Sequence, residues 1–415
     1  MAGSLPRSTA ARVGGAAVAM LIVAEAAVWL LGPRDQPPEP VPVAESEYFS
    51  AAELDRAHDF RDPQRLLLFA GLAVEGAVLI AVAFGRPAPL RRGFERLAQR
   101  PLLGAAAAGA AVALLTRAAT LPLSLVSHER AVDAGLSTQS LGPWLWDVAR
   151  SAGITAVITA GGTLLLIALV RRFPRRWWIP GAVLTTGLAV VFTWIAPVVL
   201  APIFNKFEPL PASSQARADV LELGREAGVE IGEVYRIDAS RRVTSLNAFV
   251  DGIGSTKRVV LYDNLLDQAE RPELRSVVAH ELGHVAHDDI RRGLIFVAIV
   301  APFGLLFTRE LTLAIAGRRG VDPASPAAVP IYLLALTLAA FLLNIPGNQL
   351  SREVEASADE FALELTHDPQ ALIDLQVQLA KTNLSDPDPP SVFSAVFGTH
   401  PTTVQRIGAA LADPE

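Results

Sequence analysis

Seven windows of about 20 mostly apolar residues punctuate the chain, at roughly 13–32, 65–85, 101–126, 151–170, 177–204, 293–316 and 327–346. A bilayer core about 30 Å thick takes about 20 helical residues to cross, and each backbone group left unpaired in lipid costs several kcal/mol. Windows of this length and apolarity therefore predict seven transmembrane helices. The whole chain has the same bias: 51 % of its 415 residues are hydrophobic, and the mean hydropathy is +0.36. The first window follows a short basic stretch, as a signal peptide would. It is longer than a usual signal core, and the LLGPRDQPPEP after it lacks a small-x-small cleavage site, so a retained span is expected.

Residues 1–204 hold five spans with short connections and read as an N-terminal membrane domain. Residues 205–415 carry the other two, at about 293–316 and 327–346, flanked by polar blocks 205–292 and 347–415. An even number of crossings returns a chain to the side it left, so both blocks face one compartment and can build one domain. In the first block DVLELGREAGV has helical periodicity, and EVYRIDA, SLNAFVDG and KRVVLYD read as short strands. RPELRSVVAHELGHVAHDDIRRG, with Pro272 near its start, should be one helix, and NQLSREVEASADEFALELT another. The proline-rich runs 33–42 and 385–390 should be loops. The fold class expected is a mainly α membrane protein of seven transmembrane helices, with a small α+β domain built from two segments.

The chain has no cysteine, which excludes disulfides, thiolate metal sites and cysteine nucleophiles. Any metal must be held by His, Asp or Glu. A net charge of −6 argues against nucleic acid as a partner. Only three lysines stand against 33 arginines, a composition suggestive of a high-GC bacterial genome. Arginines concentrate in loops 86–100 (five) and 171–176 (four), whereas 33–64 carries eight acidic residues. The positive-inside rule then puts the N-terminus of this multi-pass cell-membrane protein in the cytoplasm, and both polar blocks outside it.

HELGH at 280–284 places two histidines four residues apart. On a helix they differ by about 40° in azimuth and about 6 Å in height, so His280 and His284 can chelate one ion. Glu281 between them reaches a water on the metal's open position and can serve as general base. A chance match on a surface helix is the competing reading. A catalytic zinc wants three protein ligands. His287 shares the face, but it lies about 10 Å further along the axis, too far for bonds of about 2 Å. The helix 351–362 offers Glu353, Glu355, Asp359 and Glu360. Glu355 and Asp359, at i and i+4, suggest a ligand and a carboxylate that orients a ligating histidine. Spacing alone does not reject a solvated acidic helix.

FNKFEPLP (204–211), SLNAFVDGIGSTKRVVLYDNLL (245–266), HELGH, SREVEASADEFA (351–362) and GTHPTTVQRI (398–407) follow one another in order. The series resembles the integral-membrane zinc metallopeptidases of the type I CAAX prenyl protease group, with the HtpX-like proteases more distant. The resemblance implies a gluzincin-type peptidase domain with one zinc ion per chain, held by His280, His284 and Glu355, and Glu281 as general base. Asp359 matches an acidic residue read in that group as a proton donor; orienting a histidine is the physically more natural role. His400 matches a late His-Pro histidine placed to stabilise the oxyanion. Asn247 matches a residue on an edge strand that pairs with an extended peptide substrate. Arg352 and Arg406 read as structural ion-pair partners. The resemblance also implies a chamber enclosed by the seven helices, which the intramembrane charges Glu25, Glu75 and Arg117 could line; Arg117 could instead end a shorter span and snorkel.

In the prenyl proteases the catalytic side is cytosolic, while the arginine pattern here argues the opposite. The chemistry therefore carries over and the substrate does not. The function expected is a zinc-dependent membrane endopeptidase acting on peptide or membrane-protein substrates at the lipid bilayer, through attack of a zinc-bound water. The alternative is a transporter, receptor or chaperone-like quality-control protein with a structural zinc site. Glu281 speaks against it, since a structural site needs no base.

Overall fold

The computed structural model describes residues 7–34, 39–85, 93, 99–252 and 257–412. Most of the arginine-rich loop 86–100, and part of the proline-rich run 33–42, lie outside the described residues. Among the described residues seven helices are long and apolar enough to cross a membrane, and they correspond one to one with the seven windows. They comprise α1 (Arg7–Leu31), α2 (Ala51–Ile80, continued to Gly85), α3 (Pro101–Asp133), α4 (Leu141–Arg172), α5 (Trp178–Ile195, continued to Phe204), and two later helices. Outward apolar side chains such as Val157 and Val183, each 73 % exposed, fit a surface whose solvent is lipid.

The first polar block contains β1 (Phe207–Pro209), α6 (Gln215–Glu226), β2 (Glu233–Ile237), β3 (Ala248–Asp251), β4 (Arg258–Tyr262), α7 (Asp263–Gln268) and α8 (Arg271–Ala286). The membrane hairpin and second block are α9 (Asp289–Arg319), α10 (Val329–Thr366), α11 (Pro369–Thr382), α12 (Ser391–Phe397) and α13 (Thr403–Ala412). The sheet order is β1-β2-β4-β3, with β2 and β4 parallel and the two edge strands antiparallel to their neighbours. Three strands fall where alternation predicted them; β1 was not foreseen.

Val220 and Leu223 of α6 pack with Val234, Val259 and Leu261 of the sheet, and Leu274, Val278 and Leu282 of α8 complete the core. Those last three recur every four residues, so α8 turns one stripe into the core; His280 lies on the far side of the helix, His284 beside it, and Glu281 on the flank between His284 and that stripe. Pro272 in its first turn and a capping box between Glu270 and Glu273 fix where α8 begins.

Two helices differ from expectation. The segment expected to be one helix through 293 breaks: Asp288 adopts a left-handed conformation (φ 57°, ψ 38°), and α9 starts afresh at Asp289. Conversely, the last span and the acidic helix after it are one helix, α10, running through Pro346. The proline forfeits a single backbone hydrogen bond, and the helix continues.

Contacts at the helix ends bring both polar blocks together. Arg61 Nε of α2 donates to Leu384 O (2.7 Å), and Thr138 N donates to Arg242 O (3.1 Å), so the N-terminal part of α2 and the loop after α3 meet the polar blocks at one end. At the other end Arg171 Nη1 donates to Ala324 O (3.3 Å). A cavity of about 1040 Å³ lies between α2, α3, α4 and the polar blocks, and both Glu75 and Arg117 line it. Arg117 Nη1 donates to Ser124 Oγ at 3.1 Å. Glu25 is exposed on α1, away from that lining.

Candidate metal centre

His280 Nδ1 lies 2.8 Å from Asp359 Oδ1, and His284 Nδ1 lies 2.9 Å from Asp289 Oδ2. A carboxylate beside Nδ1 holds the ring proton there, which leaves the Nε2 lone pair free. Both Nε2 atoms face Glu355: His280 at 3.2 Å from Oε2, His284 at 3.7 Å from Oε1. One donor atom from each of the three residues falls within a common 4.8 Å. Bonds of about 2.0–2.1 Å in a tetrahedral zinc site separate the ligand atoms by about 3.3 Å, so the spacing and the donor types fit zinc. Among the described residues the buried Glu355 Oε2 makes no well-formed hydrogen bond, although His280 Nε2 and His400 Nε2 lie 3.2 and 3.3 Å away, an expense a cation would remove.

Close approach of α10 to α8 makes this geometry possible. A Cβ added at Gly283 would sit 3.2 Å from Ala358 Cα and 3.2 Å from Phe361 Cβ. Bare backbone inside HELGH therefore brings Glu355 up to the histidines.

Burial pushes the Glu281 carboxyl above the usual carboxylate range, offset in part by His280 and His284. Such a group is a better proton acceptor than an exposed carboxylate. Burial disfavours the charged form of His280, but its contacts with Asp359 and Glu355 outweigh that in the metal-free protein and hold the ring pKa up at about 10, so a cation binding there displaces the Nε2 proton.

Asp359 has both oxygens engaged. Besides His280, Arg406 donates from Nε to Oδ2 (2.7 Å) and from Nη2 to Oδ1 (2.5 Å). Arg406 is thus an ion-pair partner. Among the described residues Arg352 makes no ion pair: its Nη1 donates to the carbonyls of Ser394 (3.1 Å) and Gly398 (2.7 Å), tying down the segment that leads to His400. His400 is exposed, with Nε2 3.3 Å from Glu355 Oε2 and Nδ1 2.8 Å from Thr399 Oγ1. Asn247 is exposed immediately before the edge strand β3, and its carbonyl accepts from Tyr262 N at 3.1 Å. His287 caps the end of α8, 3.3 Å from Ser357 Oγ and edge-on to Phe361, outside the converging set.

Sequence reasoning missed Asp289 and the role of Gly283. Among the described residues a second group, Glu45, His58 and Asp386, also converges, but Arg65 already pairs with its Asp386.

Residues 213–413 match the model of peptidase family M48, and residues 36–206 match that of the CAAX prenyl protease N-terminal, five membrane helices. The chain is 28 % identical over 373 residues to "Uncharacterized metalloprotease YhfN" of Bacillus subtilis (strain 168), covering 87 % of this chain and 86 % of that one. It is 28 % identical over 316 residues to CAAX prenyl protease 1 of Saccharomyces cerevisiae, covering 70 % and 68 %. The crystal structure of S. mikatae Ste24p superposes with a TM-score of 0.76 at 20 % identity, covering 98 % of this chain and 100 % of that one, which shows a shared fold.

Proposed function

From the premise that the chain is a membrane metalloendopeptidase resembling the CAAX prenyl proteases, we propose that it hydrolyses peptide bonds with one zinc ion held by His280, His284 and Glu355. The observation that carries this is the Glu355 carboxylate, whose two oxygens face the Nε2 atoms of two imidazoles with their other nitrogens tied to carboxylates. Zinc bound there supplies a Lewis acid that polarises the scissile carbonyl and makes water acidic.

Glu281 takes a proton from the attacking water as the new C–O bond forms. It then passes that proton to the amine as the C–N bond breaks, and the acid formed gives up its own proton to the freed amine, leaving a carboxylate and an ammonium. His400 lies on the exposed side of the centre, where its imidazole can donate a hydrogen bond to the oxyanion. Asp359 acts without touching substrate, by holding the His280 ring. Edge strand β3, with Asn247 at its start, offers backbone groups to an extended substrate segment.

The substrate is a peptide or a membrane-protein segment within reach of the bilayer surface. The arginine-rich loops mark the cytoplasmic end, so the site faces outward, away from cytosolic prenylated chains. Treatment with 1,10-phenanthroline should abolish cleavage of an unmodified peptide, and added zinc should restore it. Absence of cleavage at every metal load would favour the transporter or chaperone reading.

A further inference from the structure

Both candidate zinc histidines have a carboxylate and an arginine behind them, though their sequence surroundings differ. Behind His280 stand Asp359 and Arg406. Behind His284 stands Asp289, whose Oδ2 is 2.9 Å from Nδ1 and whose Oδ1 is 2.9 Å from Arg292 Nη1. We infer that Asp289 is the positioning residue for His284, fixing its tautomer and ring orientation from the first turn of a membrane-spanning helix. The inference rests on the reading of His284 as a zinc ligand.

Chain geometry shows that the contact is built rather than incidental. Five residues along an uninterrupted helix is about 140° around the axis and about 7.5 Å along it, out of reach of the imidazole. The break after α8 removes that obstacle. It requires Asp288, a residue with a side chain, to hold a left-handed backbone (φ 57°) that such residues seldom adopt. The Asp289 side chain is only 10 % exposed, so its carboxylate is withdrawn from water and aimed at Nδ1. Arg292, one turn further along α9, pairs its charge with the other oxygen at 2.9 Å, without hydrogen-bond geometry. His280 is thereby registered to α10 and His284 to α9, the two helices of the membrane hairpin.

A carboxylate at Nδ1 raises the basicity of Nε2 as a ligand atom, and loss of such a partner typically weakens metal binding by about 10- to 100-fold. The test is zinc affinity of the full-length, detergent-solubilised protein, measured by competition with a chromophoric chelator. Asp289→Ala should bind zinc at least about tenfold more weakly than wild type. Asp289→Asn, whose amide oxygen still accepts from Nδ1–H, should retain most of the affinity. Equal affinity in all three proteins overturns the inference, and so does an equal loss in both variants. His284→Ala serves as the control: if it binds zinc as wild type does, the ligand assignment itself has failed.

Discussion

The Nδ1 atom of His280 sits 2.8 Å from Oδ1 of Asp359, a carboxylate that is 1 % exposed. Arg406 grips the same carboxylate through two nitrogens. Asp359→Ala would strand a buried guanidinium and a ring N–H together. Removing one partner of a buried pair costs about 3–5 kcal/mol, which denaturant unfolding of the metal-free protein in detergent would read. A loss below about 1 kcal/mol, the level of a surface ion pair, would sink this account of the site's rigidity.

Gly283 tests the approach of α8 to α10. Alanine there gains about 1 kcal/mol of helix propensity, yet its Cβ would press at 3.2 Å on Ala358 and Phe361. Overpacking of this kind costs about 1–3 kcal/mol and would push Glu355 away from the histidines. Zinc titration of Gly283→Ala should give binding about tenfold weaker, the lower end of what disturbing a metal's surroundings costs. Unchanged binding would mean that the helices part without moving the ligands.

Much of this architecture was legible because membranes and metals impose simple periodicities. The seven windows and the HELGH spacing reflect local chemistry that a straight helix preserves, whereas spacing left Glu355 open and the resemblance singled it out. What was missed depends on departures from straightness. No glycine or proline marks the break at His287–Asp288, so the contact of Asp289 with His284 could not be read from spacing. Strand β1 has three residues, one of them proline, too few to show alternation; its pairing of Phe207 with Ile237 supplies the order. Arg352 reads as an ion-pair residue by type, and only the fold reveals that its partners are carbonyls.

Glu281 must be ionised to accept a proton, and burial raises its pKa. The acid limb of kcat/KM should therefore lie above about 4.3, the ordinary glutamate value, with the rate falling as pH drops through it. A pH–rate profile whose acid limb lies at or below that value would contradict the base assigned here.

Sidedness is open to direct labelling, because the chain lacks cysteine. Glu230 in the first polar block and Arg176 at the opposite membrane end are both exposed. In intact cells a membrane-impermeant maleimide should modify Glu230→Cys and spare Arg176→Cys. The reverse pattern would put the peptidase site in the cytoplasm.

The central claim is that Glu281 is the base of a zinc centre that stands without it. Zinc content and peptide cleavage measured side by side on wild type and Glu281→Gln test it most directly. The account predicts equal zinc in the two proteins and a rate lower by about 10²- to 10⁴-fold in the variant. A variant that keeps its zinc and cleaves at the wild-type rate would contradict it.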